Sequence, residues 1–262
     1  MKAKISYQAR SRRKGVSSKW KKTLVLVRNS HVRRYVPYTL RYSDSSLSKL
    51  VNHYRIVYVK PERGSHGRGV MRVEKRPSKR NKRSPYWAHT GKKIHSRLTW
   101  NALRRALRPR TSKESYLVQQ GINMLRYHGR LFDFRVVTQL DRNQEWQLTG
   151  MLARVAQPSK AVTNGSQGAD IKTVKAVLLS HGRNVRDFKQ ATAKLRECCL
   201  LSARQLHKSY PFLRELGFDI ALDKKLHPWI LEVNTNPEVI PFAKLSDKTM
   251  FHRIMRYRRL EK

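Results

Sequence analysis

Acidic residues are scarce in this chain. Its 17 Asp and Glu stand against 58 Lys and Arg over 262 residues, giving a formal net charge of +41 and a sequence pI near 11.2. This balance is far from that of an ordinary metabolic enzyme, and it makes nucleic acid or another acidic polymer the first partner class to consider. Charge reports association rather than chemistry, however. Cysteine is scarcer still. Cys198 and Cys199 are adjacent within "FKQATAKLRECCLLSARQL", so neither a disulfide framework nor a zinc cluster can be built from them. They read as core residues of a helix in a reducing compartment. No run approaches the ~18 apolar residues of a membrane span, and "MKAKISYQARSRRKGVSSKW" lacks the apolar region of a secretory signal. The expectation is a cytoplasmic protein without a membrane span. The ten histidines show no H-E-x-x-H spacing, and no Ser-His-Asp or Cys-His constellation is recognisable.

What is present is enough apolar residue, 39%, for one substantial domain or two small lobes with a core. The acids are unevenly placed. Residues 1–132 hold 35 Lys/Arg but only Asp44, Glu62, Glu74 and Glu114, while residues 133–262 hold 23 Lys/Arg and the other thirteen acids. Residues 1–22 are cationic without apolar period and predict a disordered basic arm; residues 75–97, "KRPSKRNKRSPYWAHTGKKIHSR", predict a basic loop. Both read first as solvated segments and second as candidate contacts for nucleic acid or another polyanion, with Tyr86 and Trp87 able to stack on bases. The expected division is an arm over 1–22, a smaller lobe over 23–114 and a larger lobe over 115–262.

Strands are predicted at "YRIVYVK" (54–60), "GVMRVE" (69–74), "SYLVQQGI" (115–122), "FDFRVVTQL" (132–140) and "WQLTGMLARVA" (146–156). Helical spacing appears in "LTWNALRRAL" (98–107) and across 184–209, and "GFDIALD" and "WILEVN" are strands joined by "KKLHP". Helices and antiparallel strands in two sections indicate an α+β fold.

In the last pair, a four-residue turn over 224–227 sets Asp223 opposite Pro228 and, counting back, Asp219 opposite Glu232, with Asn234 next on that face. Phe218, Ile220 and Leu222 with Trp229, Leu231 and Val233 form the apolar opposite face. Two facing carboxylates repel unless something positive lies between them. A Mg²⁺ ion suits this oxygen set, and so does pairing with the many Arg and Lys. In the other half, the glycine-rich "GSHGRG" follows Lys60 between two strands, where backbone N–H groups can approach a phosphate. It matches neither the Walker loop nor the dinucleotide fingerprint.

Taken in order, "VYVKPERGSHGRGVMRV", "YLVQQGI", "FDFRVV", "TGMLARV", "VTN" and "LGFDIALDKKLHPWILEVNTNP" resemble an ATP-grasp protein, most closely the YheC/YheD family named for association with the endospore coat. "VRRYVPYTLRYSDSSLSKLV" also resembles the segment leading into that family's nucleotide-binding lobe, so the resemblance spans roughly residues 23–240. It implies a nucleotide held between antiparallel sheets of two lobes. By resemblance, Lys60 contacts the phosphates of ATP, Gly64, Gly67 and Gly69 lie in the closing loop, and Gln119, Gln120, Gly121 and Ile122 form the hinge whose backbone reads adenine. Arg135 and Arg154 face phosphate or an acyl-phosphate, Asn164 is carried over with them, and Asp219, Glu232 and Asn234 match the metal ligands. For Arg135 and Arg154 the other reading is a surface strand residue or a salt-bridge partner. "NGSQGAD" departs from the family pattern in lacking paired glycines, and only about sixty residues precede Lys60 where such ligases carry a full domain. The implied activity is an ATP- and Mg²⁺-dependent ligase joining a carboxylate, as on an acidic peptide or polymer, to an amine, with spore-coat proteins as partners. The alternative is a catalytically silent scaffold that binds nucleic acid or serves a coat.

Overall fold

Cap residues and apolar spacing set the first elements of the computed structural model, which describes residues 14–65, 67–76, 85–91, 93–157, 168–180 and 184–259. The Ser18 hydroxyl accepts a hydrogen bond from Lys21 N and opens helix α1 (Lys19–Val27), which buries Lys22, Val25 and Leu26. Helix α2 (Ser30–Arg33) and strand β1 (Thr39–Arg41) follow. Helix α3 (Asp44–Tyr54) starts on a capping box between Ser43 and Ser46 and buries Leu47, Leu50 and Val51. Strands β2 (Ile56–Pro61) and β3 (Met71–Lys75) flank the glycine-rich loop. Strands β4 (Tyr86–Thr90) and β5 (Lys93–Leu98) form a hairpin, and helix α4 (Trp100–Thr111), capped by Thr99, leads to strand β6 (Tyr116–Gln120). These six strands make one antiparallel sheet in the order β1-β6-β2-β3-β4-β5. Val57, Val59, Met71 and Val73 meet Leu47, Leu103 and Leu107 of α3 and α4 in its core. Alternation then turns Tyr58, Lys60, Arg72 and His89 to the other face.

The second sheet begins with strands β7 (Arg126–Tyr127), β8 (Arg130–Leu140), β9 (Trp146–Val155) and β10 (Asp170–Lys172). Helices α5 (Val174–Leu179) and α6 (Val185–Ser209) precede strands β11 (Glu215–Leu222) and β12 (Pro228–Asn234). Helices α7 (Ile240–Ala243) and α8 (Thr249–Arg259) follow. The strand order is β10-β9-β8-β11-β12, with β7 paired to β8, and every pair is antiparallel. In one core of this sheet Phe134, Val136, Phe218 and Ile220 gather with Val25 and Leu26 of α1 and with Leu195, Cys198 and Cys199 of α6. Both cysteines are free and buried. Val137 and Leu152 instead meet Phe242 of α7 and Ile254 of α8. Covered on both faces, β8 is buried from Phe132 to Leu140, and that buried stretch includes the polar side chains of Asp133, Arg135, Thr138 and Gln139. The α+β architecture with two antiparallel sheets is therefore as the sequence predicts.

Three local expectations give way. Residues 14–22, read with the arm, are built into the fold: Val16 and Ser18 are buried and α1 begins at Lys19, while residues 1–13 lie outside the described residues. The basic segment 75–97 is largely the β4–β5 hairpin, because Ala88 and Thr90 are buried while Lys93 and Arg97 stay exposed; residues 77–84 and 92 lie outside the described residues. The lobe division also shifts. Strand β6 belongs to the first sheet although it lies beyond residue 114, and α1 packs on the core of the second sheet although it lies before it.

Candidate functional site

The β11–β12 hairpin carries the acidic set. Asp223 orders its turn by accepting hydrogen bonds from Lys225 N and His227 N, and Trp229 Nε1 donates to the same carboxylate. Leu222, not Asp223, stands opposite Pro228, so the turn is one residue longer than the sequence count allows. A register shift between Asp219 and Ile220 compensates, and Asp219 pairs with Glu232 as expected, with Gly217 opposite Asn234. The shift changes the faces. Ile230 and Val233 enter the core, whereas Leu231 lines the cleft between the sheets and turns its carbonyl to Lys60.

Asp219 is buried between two arginines. Arg154 Nη2 lies 3.0 Å from Oδ2, and Arg135 Nε lies 2.8 Å from Oδ1. The second contact is an ion pair without hydrogen-bond alignment, so Arg135 Nε and Asp219 Oδ1 are both buried without a hydrogen bond. Burial pushes the Asp219 pKa up, but the two guanidinium groups overcome this and hold the carboxyl below its usual range. Arg154 also makes a bidentate pair with Asp133 through Nε and Nη2, both at 2.7 Å. Strand register explains the cluster: Arg135 on β8 faces Asp219 on β11, and Asp133 on β8 faces Arg154 on β9. Asp219, Glu232 and Asn234 together offer oxygen-bearing side chains on one sheet face, the donor type that suits a hard divalent cation, and both Asp219 oxygens are also engaged by guanidinium groups.

Across the cleft, the buried Lys60 donates from Nζ to Gln119 Oε1 at 2.7 Å and to Leu231 O at 3.0 Å. Gln119 is oriented in turn by Thr39, whose hydroxyl accepts from Nε2 and donates to Pro37 O. Burial lowers the Lys60 pKa to about 8, against the opposing pull of Glu232. In the adjoining loop Gly64, Gly67 and Gly69 all have positive φ, and a Cβ on Gly69 would sit 2.9 Å from Tyr116 Oη. Lys60, Gly67, Asp133, Asp219 and Glu232 line one pocket of about 110 Å³ between the sheets. Tyr58, Ile122, Met124 and Leu131 are shared with a groove of about 680 Å³ that continues it.

Gln119 uses its side chain on Lys60. Gln120 N donates to Tyr38 O and Gly121 N to Ile56 O, and Gln119, Gln120 and Ile122 all line the pocket. Asn164 lies outside the described residues. Three residues are new to the site. Besides Asp133, the segment read as an arm supplies Lys19, whose Nζ donates to Gly64 O at 2.8 Å and lies 3.6 Å from Glu232. It also supplies Lys22, buried, bonded to Val16 O and lowered by burial to a pKa of about 8. The available signal was Ser18 as a cap before the helical spacing of Lys22, Val25 and Leu26.

Comparison with known proteins places the chain and its fold in one family. The YheC/D-like ATP-grasp family model matches residues 11–260. Among curated proteins the chain is similar to the endospore coat-associated protein YheD of Bacillus subtilis (strain 168), 25% identical over 84% of this chain and 48% of that protein. It is also similar to the endospore coat-associated protein YheC of the same organism, 24% identical over 86% of this chain and 61% of that protein. The chain thus spans about half to three-fifths of the length of these relatives. Among solved structures it resembles D-cycloserine synthetase DcsG, with a TM-score of 0.58 at 12% identity over 93% of this chain and 70% of that one. D-alanyl-alanine synthetase A from Vibrio cholerae gives 0.51 at 13% identity over 92% and 60%. Likeness at such identities concerns the fold.

Proposed function

The chain belongs to the YheC/D-like ATP-grasp family, and from that premise we propose that it is an ATP- and Mg²⁺-dependent ligase that activates a carboxylate as an acyl-phosphate and passes it to an amine. The observation that carries the reading is the meeting of Lys60, Asp219 and Glu232 at one pocket beside a glycine-rich loop, with Arg154 paired to Asp219 behind it. Mg²⁺, when bound, would offset charge on the phosphates. Asp219, Glu232 and Asn234 would hold it. Lys60 and the N–H groups of the loop with Gly64, Gly67 and Gly69 bind phosphate oxygens, and Ile122 borders the base. Arg135 and Arg154, held rigid by Asp133 and Asp219, keep positive charge where the transferring phosphate carries negative charge. No side chain acts as a nucleophile, so positioning and electrostatics supply the catalysis.

An acidic, carboxylate-bearing acceptor fits the charge of +41. Association with the spore coat is part of the proposal through the names of the two relatives. Calorimetry of ATP binding with and without Mg²⁺, on the native chain and on Glu232→Gln, tests the reading. The native chain should bind with metal and the variant should lose the metal-dependent part. If ATP binds neither, the ligase reading fails at its first step.

A further inference from the structure

Strand β5 is an edge of the first sheet, and among the described residues nothing pairs with its outer side. An unpaired edge is a template for another strand, and proteins commonly blunt it with lysine, bulges or twist. β5 carries all three: Lys93 and Arg97 are exposed, the pairing with β4 slips between Tyr86 and Ala88, and Arg97 has a positive φ of 50°. These devices act by charge and shape, so their effect depends on what approaches. A second copy of this chain would bring Lys93 and Arg97 against themselves and be repelled. An acidic strand would meet the same residues as partners. The edge is therefore closed to itself and open to an anion.

Three further observations point the same way. Ile94 is 65% exposed, more than any other large apolar side chain described, and it sits between the two cations. Thr90 and Lys93 close a two-residue turn, so by the alternation of antiparallel pairs the N–H and C=O of Ile94 point away from β4. Ile94 and His89 also border the groove of about 680 Å³ that contains Arg72, Arg126 and Arg130 and runs into the nucleotide pocket at Tyr58 and Ile122. Behind the strand, helix α4 exposes Arg105 and Arg108, so the field around the edge is positive beyond β5 itself.

We propose that β5 is the docking edge for an extended acidic polypeptide segment, added as a further antiparallel or parallel strand with Ile94 as its apolar anchor. Lys93 and Arg97 flank the added strand, and main-chain hydrogen bonds at Ile94 supply the part of recognition that a disordered polyanion could not use. A peptide is favoured over nucleic acid for that reason, and because the Trp87 ring is already covered by Arg76, 4.3 Å from its centroid, rather than free to stack on a base. The proposal deepens the reading of an acidic acceptor and rests on that reading only for what happens to the peptide afterwards. Docking is measured without ATP, so it can fail while nucleotide binding succeeds, and the reverse.

The probe is a short fluorescein-labelled peptide alternating Glu with Val, titrated with the full chain and followed by anisotropy. A Lys-for-Glu peptide and an oligothymidylate serve as comparisons. Ile94→Pro removes one outward N–H at a position where an edge strand tolerates proline. Relative to Ile94→Ala, which keeps that N–H, it should weaken the acidic peptide about tenfold while leaving the melting transition unchanged. Hydrogen exchange on the native chain should slow at Ile94 when the peptide is added, which keeps the test valid if the proline variant fails to fold. The proposal is overturned if Pro and Ala variants bind alike, if exchange at Ile94 is unaffected, or if oligothymidylate binds more tightly than the peptide.

Discussion

Raising the pH from 7 to 9 should strip ATP from this chain, although an ordinary lysine is still charged at pH 9. Burial lowers the Lys60 pKa from the usual 10.5 to about 8. The ammonium is then about nine-tenths protonated at pH 7 and about one-tenth protonated at pH 9. If only the cation binds phosphate, ATP affinity falls about tenfold across that interval, whereas a lysine at 10.5 would change it by a few per cent. The groups around Lys60 that bear on this are Glu232, Lys19, Lys22 and Asp219. Lys22 is itself lowered to about 8 and would add to the same window. Lys60→Arg separates the two, because the guanidinium stays charged throughout. Stability should move in the opposite direction. The folded pKa lies below the unfolded one, so the unfolded chain binds more protons between pH 8 and 10.5, and the ligand-free protein gains stability as pH rises through that range. Titration with a fluorescent ATP analogue at fixed Mg²⁺, beside urea melts of the ligand-free chain, reads both slopes. Affinity that stays flat from pH 7 to 9 in the native chain would refute the assignment of Lys60 as the phosphate cation.

Arg154→Met removes the bidentate partner of Asp133 and one partner of Asp219, leaving buried carboxylates undercompensated; urea unfolding should show a loss of about 3–5 kcal/mol. Gly217→Ala would bring a Cβ to 2.4 Å from Pro237 Cβ, three residues past Asn234. The chain must shift there, so Mg²⁺-dependent ATP binding should weaken together with a stability loss of about 1–3 kcal/mol, seen by calorimetry and thermal melts. Lys19→Met breaks the tie to the Gly64 carbonyl and the contact with Glu232 at the site's edge, and it should lower ATP affinity several-fold while stability changes by less than about 1 kcal/mol.

How much of this was readable from the chain depends on how local each signal is. The facing of Asp219 and Glu232 follows from a period of two and a turn, yet the count reached it through two offsetting features. The turn is a residue longer because the Asp223 carboxylate gathers Lys225 N and His227 N, and the register shift beside Asp219 takes the residue back. Alternation alone could not foresee that Leu231 leaves the core for the cleft. The β4–β5 hairpin was hidden because its buried residues, Ala88 and Thr90, are small and its exposed ones include Lys93 and Arg97, so composition resembles a loop. Lys19 and Lys22 were hidden for a different reason. The role of Lys19 depends on contacts with Gly64 and Glu232, which are distant in sequence, and a lysine beside a helix cap, Lys22 included, carries no mark of burial.

The site also changes what the charge of the chain means. Around the pocket, Lys19, Lys22, Lys60, Arg135 and Arg154 stand against Asp133, Asp219 and Glu232, and most of these groups are already paired with one another. Such a set is close to balance, because buried charges without partners are costly. It can account for only a small part of +41. Among the described residues the excess therefore lies on outer surfaces, where solvation makes charge cheap and where α4 and β5 expose arginine and lysine with few acids near them. A field placed there attracts large anions and has little to say to a nucleotide enclosed between two sheets. Salt should accordingly weaken capture of an acidic partner far more than it weakens binding of ATP.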